Sequence, residues 1–111
     1  MKRIELKVKK LQEQFPLIHG IEARKTENGS DCIFLGDVAE GGMISDETDQ
    51  KMAADPEYAG LGFGEGVPAA DYYGEFRGGY PWIHPDLEKA VEEIGFQIEW
   101  YDPGTLFAYP K

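Results

Sequence analysis

The sequence predicts an α+β fold. Two helix–hairpin (αββ) units form a four-stranded antiparallel sheet with both helices on one face, and a long glycine- and aromatic-rich excursion separates them. Three observations predict it. An amphipathic segment over 3–15 is followed by two short strand-like runs within 18–36. The same order recurs over 85–94 and 96–109. Each hairpin has turn residues at its centre, Asn28-Gly29 in the first and Pro103-Gly104 in the second. The two units differ at almost every position, so the repeat is one of architecture. With 111 residues, 41% of them hydrophobic, the chain has the size and apolar content of one domain spanning 1–111.

The first element reads as a helix over 3–15. Ile4, Val8, Leu11 and Phe15 fall at i, i+4, i+7 and i+11, one helical face. Ile4, Leu6 and Val8 also alternate as in a strand, but the helical match is longer. Leu6 is then the residue left off the apolar face. Pro16 ends the element, because the residue before a proline is pushed toward extended geometry. The hairpin 18–36 follows: Ile21 and Ala23 alternate with Glu22 and Arg24, and Asp31-Cys32-Ile33-Phe34-Leu35 returns as a nearly continuous apolar strand. Such a strand is expected to be central or covered on both faces.

Residues 37–58 are acidic and weakly patterned. Ser45 reads as the cap of a short helix with Asp46 and Glu47 in its first turn, where negative charge meets the helix dipole favourably. The excursion 37–84 is thus expected to carry short helical turns. Its core is 60–82, with seven glycines and with Phe63, Tyr72, Tyr73, Phe76, Tyr80 and Trp82 among and after them. Glycine loses more backbone freedom on ordering than other residues, so such a stretch needs large apolar contacts to fold. The aromatic side chains supply them.

The last unit is the plainest. Pro85 suits the first helical position, Asp86 and Glu88 suit the first turn, and Gly95 suits the stop. Leu87, Ala90, Val91 and Ile94 form the buried stripe. Phe96–Tyr101 and Thr105–Tyr109 flank Asp102-Pro103-Gly104, whose Pro-Gly centre is type II turn chemistry. Phe96, Ile98 and Trp100 point one way. Leu106 and Ala108 oppose Thr105, Phe107 and Tyr109, so large apolar groups occur at both parities. One face packs on helices. The other needs a cover as well, from the middle segment or from a partner chain.

Charge and composition exclude several functions. The formal charge is −10, and residues 1–25 hold seven basic side chains against three acidic ones, so the remainder carries −14. Binding to phosphate backbones needs a basic surface, so no direct nucleic-acid binding is expected. The acidity reads as solubility, or as a face that imitates nucleic acid for a basic partner. No apolar run approaches the ~20 residues of a spanning helix, and the alternating start MKRIELKVKK is not a secretory leader, so a cytoplasmic protein away from membranes is expected. Asp46, Glu47 and Asp49 lack the spacing of a calcium loop, and the glycine run lacks both nucleotide-loop patterns, so neither metal nor cofactor is expected. Cys32 is the single cysteine and reads as a small strand residue rather than a nucleophile.

No catalytic set emerges. The binding candidates are Tyr72, Tyr73, Phe76, Arg77, Tyr80, Trp82 and His84. Tyr, Trp and Arg dominate binding hot spots, and Arg77 is the one basic residue between Lys51 and Lys89. Arg77 either pins the loop to a carboxylate or anchors an anionic ligand. For His84, contacts at the start of the following helix outweigh catalysis. The sequence therefore predicts a small acidic non-enzymatic module that binds another protein or its own copy, as in a homodimer. The alternative is a small-molecule binder or enzyme whose pocket is lined by the aromatic segment 60–84.

Overall fold

A computed structural model describes residues 3–46, 66–71 and 82–111. The architecture is α+β, with two helices and a four-stranded antiparallel sheet. In chain order the elements are α1 (Arg3–Gln14), β1 (Ile21–Lys25), β2 (Asp31–Leu35), β3 (Met43–Asp46), β4 (Gly66–Pro68), β5 (Ala70–Asp71), β6 (Trp82–Ile83), α2 (Pro85–Glu93), β7 (Phe96–Asp102) and β8 (Thr105–Pro110). The main sheet runs β1-β2-β8-β7, so the two hairpins join along β2 and β8. The seam is antiparallel and places Ile33 opposite Ala108 and Phe34 opposite Phe107.

α1 forms where the helical period predicts it. Ile4, Val8 and Leu11 are buried, whereas Leu6 is 55% exposed, off the apolar face. Its C-terminal turn runs on through Phe15, whose amide donates to the Leu11 carbonyl at 2.9 Å. The helix packs against β1, and Gln12 Nε2 donates to the Ile21 carbonyl at 2.7 Å. The first hairpin turns over Glu27-Asn28-Gly29. The Gly29 amide donates to the Thr26 carbonyl at 2.9 Å, and only Gly29 takes positive φ, 83°. This is a three-residue loop with a left-handed third position, rather than the two-residue Asn-Gly turn.

At the other end of that hairpin two backbones touch. Gly36 has φ 61°, and a Cβ there would overlap the His19 carbonyl. That carbonyl accepts from the Asp37 amide at 2.9 Å, so the close approach is itself hydrogen-bonded. Only a residue without Cβ fits there.

Each sheet strand contributes to a single apolar core from one parity, β1 through Ile21 alone. Ile21, Ile33, Leu35, Phe96, Leu106 and Ala108 are buried together with Ile4, Val8, Leu11 and Phe15 of the first helical segment and Leu87, Ala90, Val91 and Ile94 of the second. α2 packs against β7. The middle of the chain contributes Val38, Ala69 and Ala70 to the same cluster. It is tied in by backbone bonds from the Ala69 amide to the Gly42 carbonyl at 3.0 Å and from the His84 amide to the Ala69 carbonyl at 2.8 Å.

Two expectations are corrected. Ser45 caps no helix: Ser45 and Asp46 lie in β3 and pair antiparallel with Val67 and Gly66 of β4, with a bulge after Met43. A strand partner twenty residues away overrides the local capping signal. The Pro103-Gly104 turn is not type II, since Gly104 does not take the positive φ that type II requires at its third residue. The Asp102 carboxylate instead accepts the Gly104 amide at 2.9 Å, so a side-chain bond sets the turn.

Candidate functional site

Of the seven binding candidates, Trp82 and His84 lie within the described structure. Tyr72, Tyr73, Phe76, Arg77 and Tyr80 lie outside the described residues. Trp82 and His84 are internal, 3% and 1% exposed, with ring centroids 5.7 Å apart in an edge arrangement. His84 is the N-cap of α2: its backbone is extended, and Nδ1 accepts the Asp86 amide at 3.0 Å. An Nδ1 acceptor puts the proton of the neutral ring on Nε2. That Nε2 is buried and has no hydrogen-bond partner among the described residues. Burial pushes the His84 pKa below the ordinary histidine value, with the Asp86 carboxylate opposing it. The favoured reading of His84, contacts at the start of the helix, matches this geometry.

Among the described residues, the second face of the main sheet carries a joined set of aromatic side chains. Strand alternation puts Glu22, Arg24, Cys32, Phe34, Thr105, Phe107 and Tyr109 on the parity opposite the core. Phe34 and Phe107 face each other across the seam with centroids 5.5 Å apart. Phe107 stacks toward Tyr109 at 6.0 Å and meets Tyr101 edge-on at 5.7 Å. The Arg24 guanidinium lies 4.0 Å above the Phe34 ring and is forked onto Glu22 Oε1 at 2.6 and 2.8 Å. Cation–π and aromatic pairs of this kind each contribute on the order of 1 kcal/mol.

A groove of about 1050 Å³ runs along this face from the turn at Asn28 and Ser30 to Thr105 and Tyr101, over Cys32 and Phe107. Its floor is protected and its rim is wet. Cys32 is 2% exposed, whereas Tyr101 is 72% exposed. Burial pushes the Cys32 thiol up, partly offset by Arg24. Burial also pushes the Tyr109 phenol up, with Cys32, Glu99 and Tyr101 adding to it. A thiol held protonated is a poor nucleophile, so this floor packs rather than reacts.

Other polar groupings are less developed. Asp37 accepts the His19 amide at 2.8 Å and His19 Nδ1 at 3.1 Å, fixing the approach to β1. A smaller groove of about 390 Å³ lies where Phe15 and Ala90 meet Ile44, rimmed by Asp86, Lys89 and Glu93. Among the described residues no group of three or more His, Cys, Asp or Glu could hold a metal ion, and no helix is long and apolar enough to cross a membrane.

The candidate residues named from sequence came from the glycine-rich stretch, so Arg24, Phe34, Tyr101, Phe107 and Tyr109 were not among them. The signal for them was the double parity of large apolar groups in the second hairpin. Register completes it by laying Phe34 beside Phe107. Comparison with protein-family models, with curated proteins and with solved structures found no match.

Proposed function

We propose that this chain is a non-enzymatic protein-binding module and that the second face of its main sheet is the contact surface. The observation that carries the reading is the joined set of Phe34, Phe107, Tyr109 and Tyr101 along an open groove, with Arg24 stacked at its edge. Aromatic and arginine side chains rimmed by polar groups have the composition of interface hot spots. The finer architecture belongs to the same reading. The chain is two αββ units in one domain, both helices lie on the core side, and the opposite side is left for a partner. Work in the cytoplasm fits this reading.

The test is capture of partners, the chain itself included, by the wild-type protein and by Phe107→Ser. Retention of a partner by wild type and its loss in the variant supports the reading. Equal retention by both, or none by either, ends it.

A second reading has one observation in its favour. The Nε2–H of His84 beside Trp82, unpartnered among the described residues, is a buried donor that a ligand oxygen could satisfy. In that reading Tyr72, Tyr73, Phe76, Arg77 and Tyr80 line a pocket with Trp82 and His84. Thermal-shift screening against metabolites decides it, because a ligand that stabilises wild type and not His84→Asn would be required.

A further inference from the structure

We propose that the second face of the sheet pairs with the same face of a second copy, about a twofold axis that runs across the strands. The inference rests on the reading of that face as a protein-contact surface and adds the partner and the geometry.

The argument comes from register. On this face the four strands present two parallel rows. The first row is Glu22, Phe34, Phe107 and Glu99, each opposite the next. The second is Arg24 opposite Cys32, then Tyr109 opposite Gln97. The residues of each strand are thus complementary to each other: anion with cation on β1, large with small on β2, ring with ring on β8, carboxylate with amide on β7. A twofold axis lying between the rows and perpendicular to the strands exchanges the rows while keeping every strand over its own copy. Arg24 then faces the second copy's Glu22, and Phe34 faces its Cys32. Phe107 faces its Tyr109, and Glu99 faces its Gln97. An isologous interface needs this kind of self-complementarity.

The ends of the groove obey the same exchange. The turn at Asn28 and Ser30 lies one row beyond Cys32, and Tyr101 and Thr105 lie one row beyond Phe107. The axis lays the polar turn of one copy over the far ends of β1 and β2 in the other, and Tyr101 and Thr105 over the far ends of β7 and β8. An axis along the strands would instead set Glu22 over Glu99, a like-charge contact at both edges. Sheets packed face to face keep their strands within about 30° of each other, which the proposed axis allows. Four strands at about 4.8 Å span about 19 Å, so the interface is small and the dimer sits at the weak end of the affinity range.

The experiment is sedimentation of the full chain from about 5 µM to about 500 µM, the range over which a small interface dissociates. Wild type, Arg24→Glu and Glu22→Arg are run alone, and the two variants are run as an equimolar mixture. The exposed pair adds little to folding, and circular dichroism checks that each variant remains folded. Wild type is expected to pass from monomer to dimer. Each charge variant alone is expected to remain monomeric where wild type is dimeric, since both its rows then carry one sign at β1. The mixture is expected to recover the dimer, because the two carboxylates of one variant meet the two guanidinium groups of the other. An intramolecular role for the Arg24–Glu22 pair would not produce recovery on mixing. Should either charge variant fail to fold, Phe107→Ser breaks the centre of the same face and should likewise remain monomeric.

A wild-type protein monomeric throughout overturns the proposal. So does a wild-type dimer that survives either single charge reversal or Phe107→Ser, or variants that do not assemble when mixed. Failure of the wider reading is distinguishable. A monomeric wild type that still retains a different protein through Phe107 removes the homodimer and leaves the contact surface in place.

Discussion

The two faces of one sheet solve different problems with adjacent residues. Ile33 and Phe34 are neighbours in β2, yet Ile33 is fully buried in the apolar core and Phe34 lies half-buried under an arginine. The core face buries Ile, Leu, Ala and Phe, whose side chains have no polar atoms to satisfy and fill space between helices and strands. The second face uses aromatic rings with cations, hydroxyls and a thiol around them, which tolerate one wet side. Burial on the first face holds the fold together. Partial burial on the second leaves apolar area accessible to solvent. A face can therefore be rich in large side chains without being core.

The sharpest way to break this comparison is a matched truncation on one strand. Leu106→Ala should cost about 2–5 kcal/mol, as buried leucines do. Phe107→Ala, although it removes a larger group, should cost about 1 kcal/mol. Urea midpoints with unchanged slopes would measure both. Equal losses would make the second face core and end the distinction.

The next effect is pH dependence confined to the interior. His84 is depressed by burial, so the folded state resists protonation more than the unfolded state does. Its contribution is therefore complete above the free-histidine value of about 6.5 and is lost as the pH falls below it toward the lower folded value. Protonation also turns the Nδ1 acceptor into a donor facing the Asp86 amide, which removes a cap of about 1 kcal/mol. His84→Asn keeps a capping oxygen, so its stability should be flatter between about pH 7 and pH 5 than that of wild type. Parallel curves for the two proteins would sink this account. Phe107→Ala should follow the wild-type slope, because it touches the other face.

The smallest effect concerns the floor of the groove. Cys32 is enclosed although the groove above it is open, and its thiol is held protonated. Labelling by a thiol reagent at neutral pH should be at least about tenfold slower on the native protein than on the unfolded one. Equal rates would show that the rings and Arg24 do not seal the second face.

Much of the architecture was legible because its signals are local. Pro16, Pro85 and Gly95 bracket the helices, and the period of Ile4, Val8, Leu11 and Phe15 gives the buried side of α1 together with the exposed position of Leu6. What failed to show depends on partners elsewhere in the chain. Met43–Asp46 becomes a strand through β4, and no local pattern announces that pairing. The Asp102 side chain changes the turn that Pro103-Gly104 alone would specify. The second face of the sheet was half legible. Phe107 and Tyr109 could be seen to face away from Leu106 and Ala108, but Arg24 and Phe34 joined them only when register brought the hairpins together.

The seam between β2 and β8 sets the order in which this molecule can assemble. Each hairpin closes over a few residues, and such closures take microseconds. Ile33 and Ala108 are 75 positions apart (108 − 33), and their pairing must first meet the entropy of a long loop. Two quickly formed halves therefore wait on one slow encounter, and the barrier to folding lies where they meet.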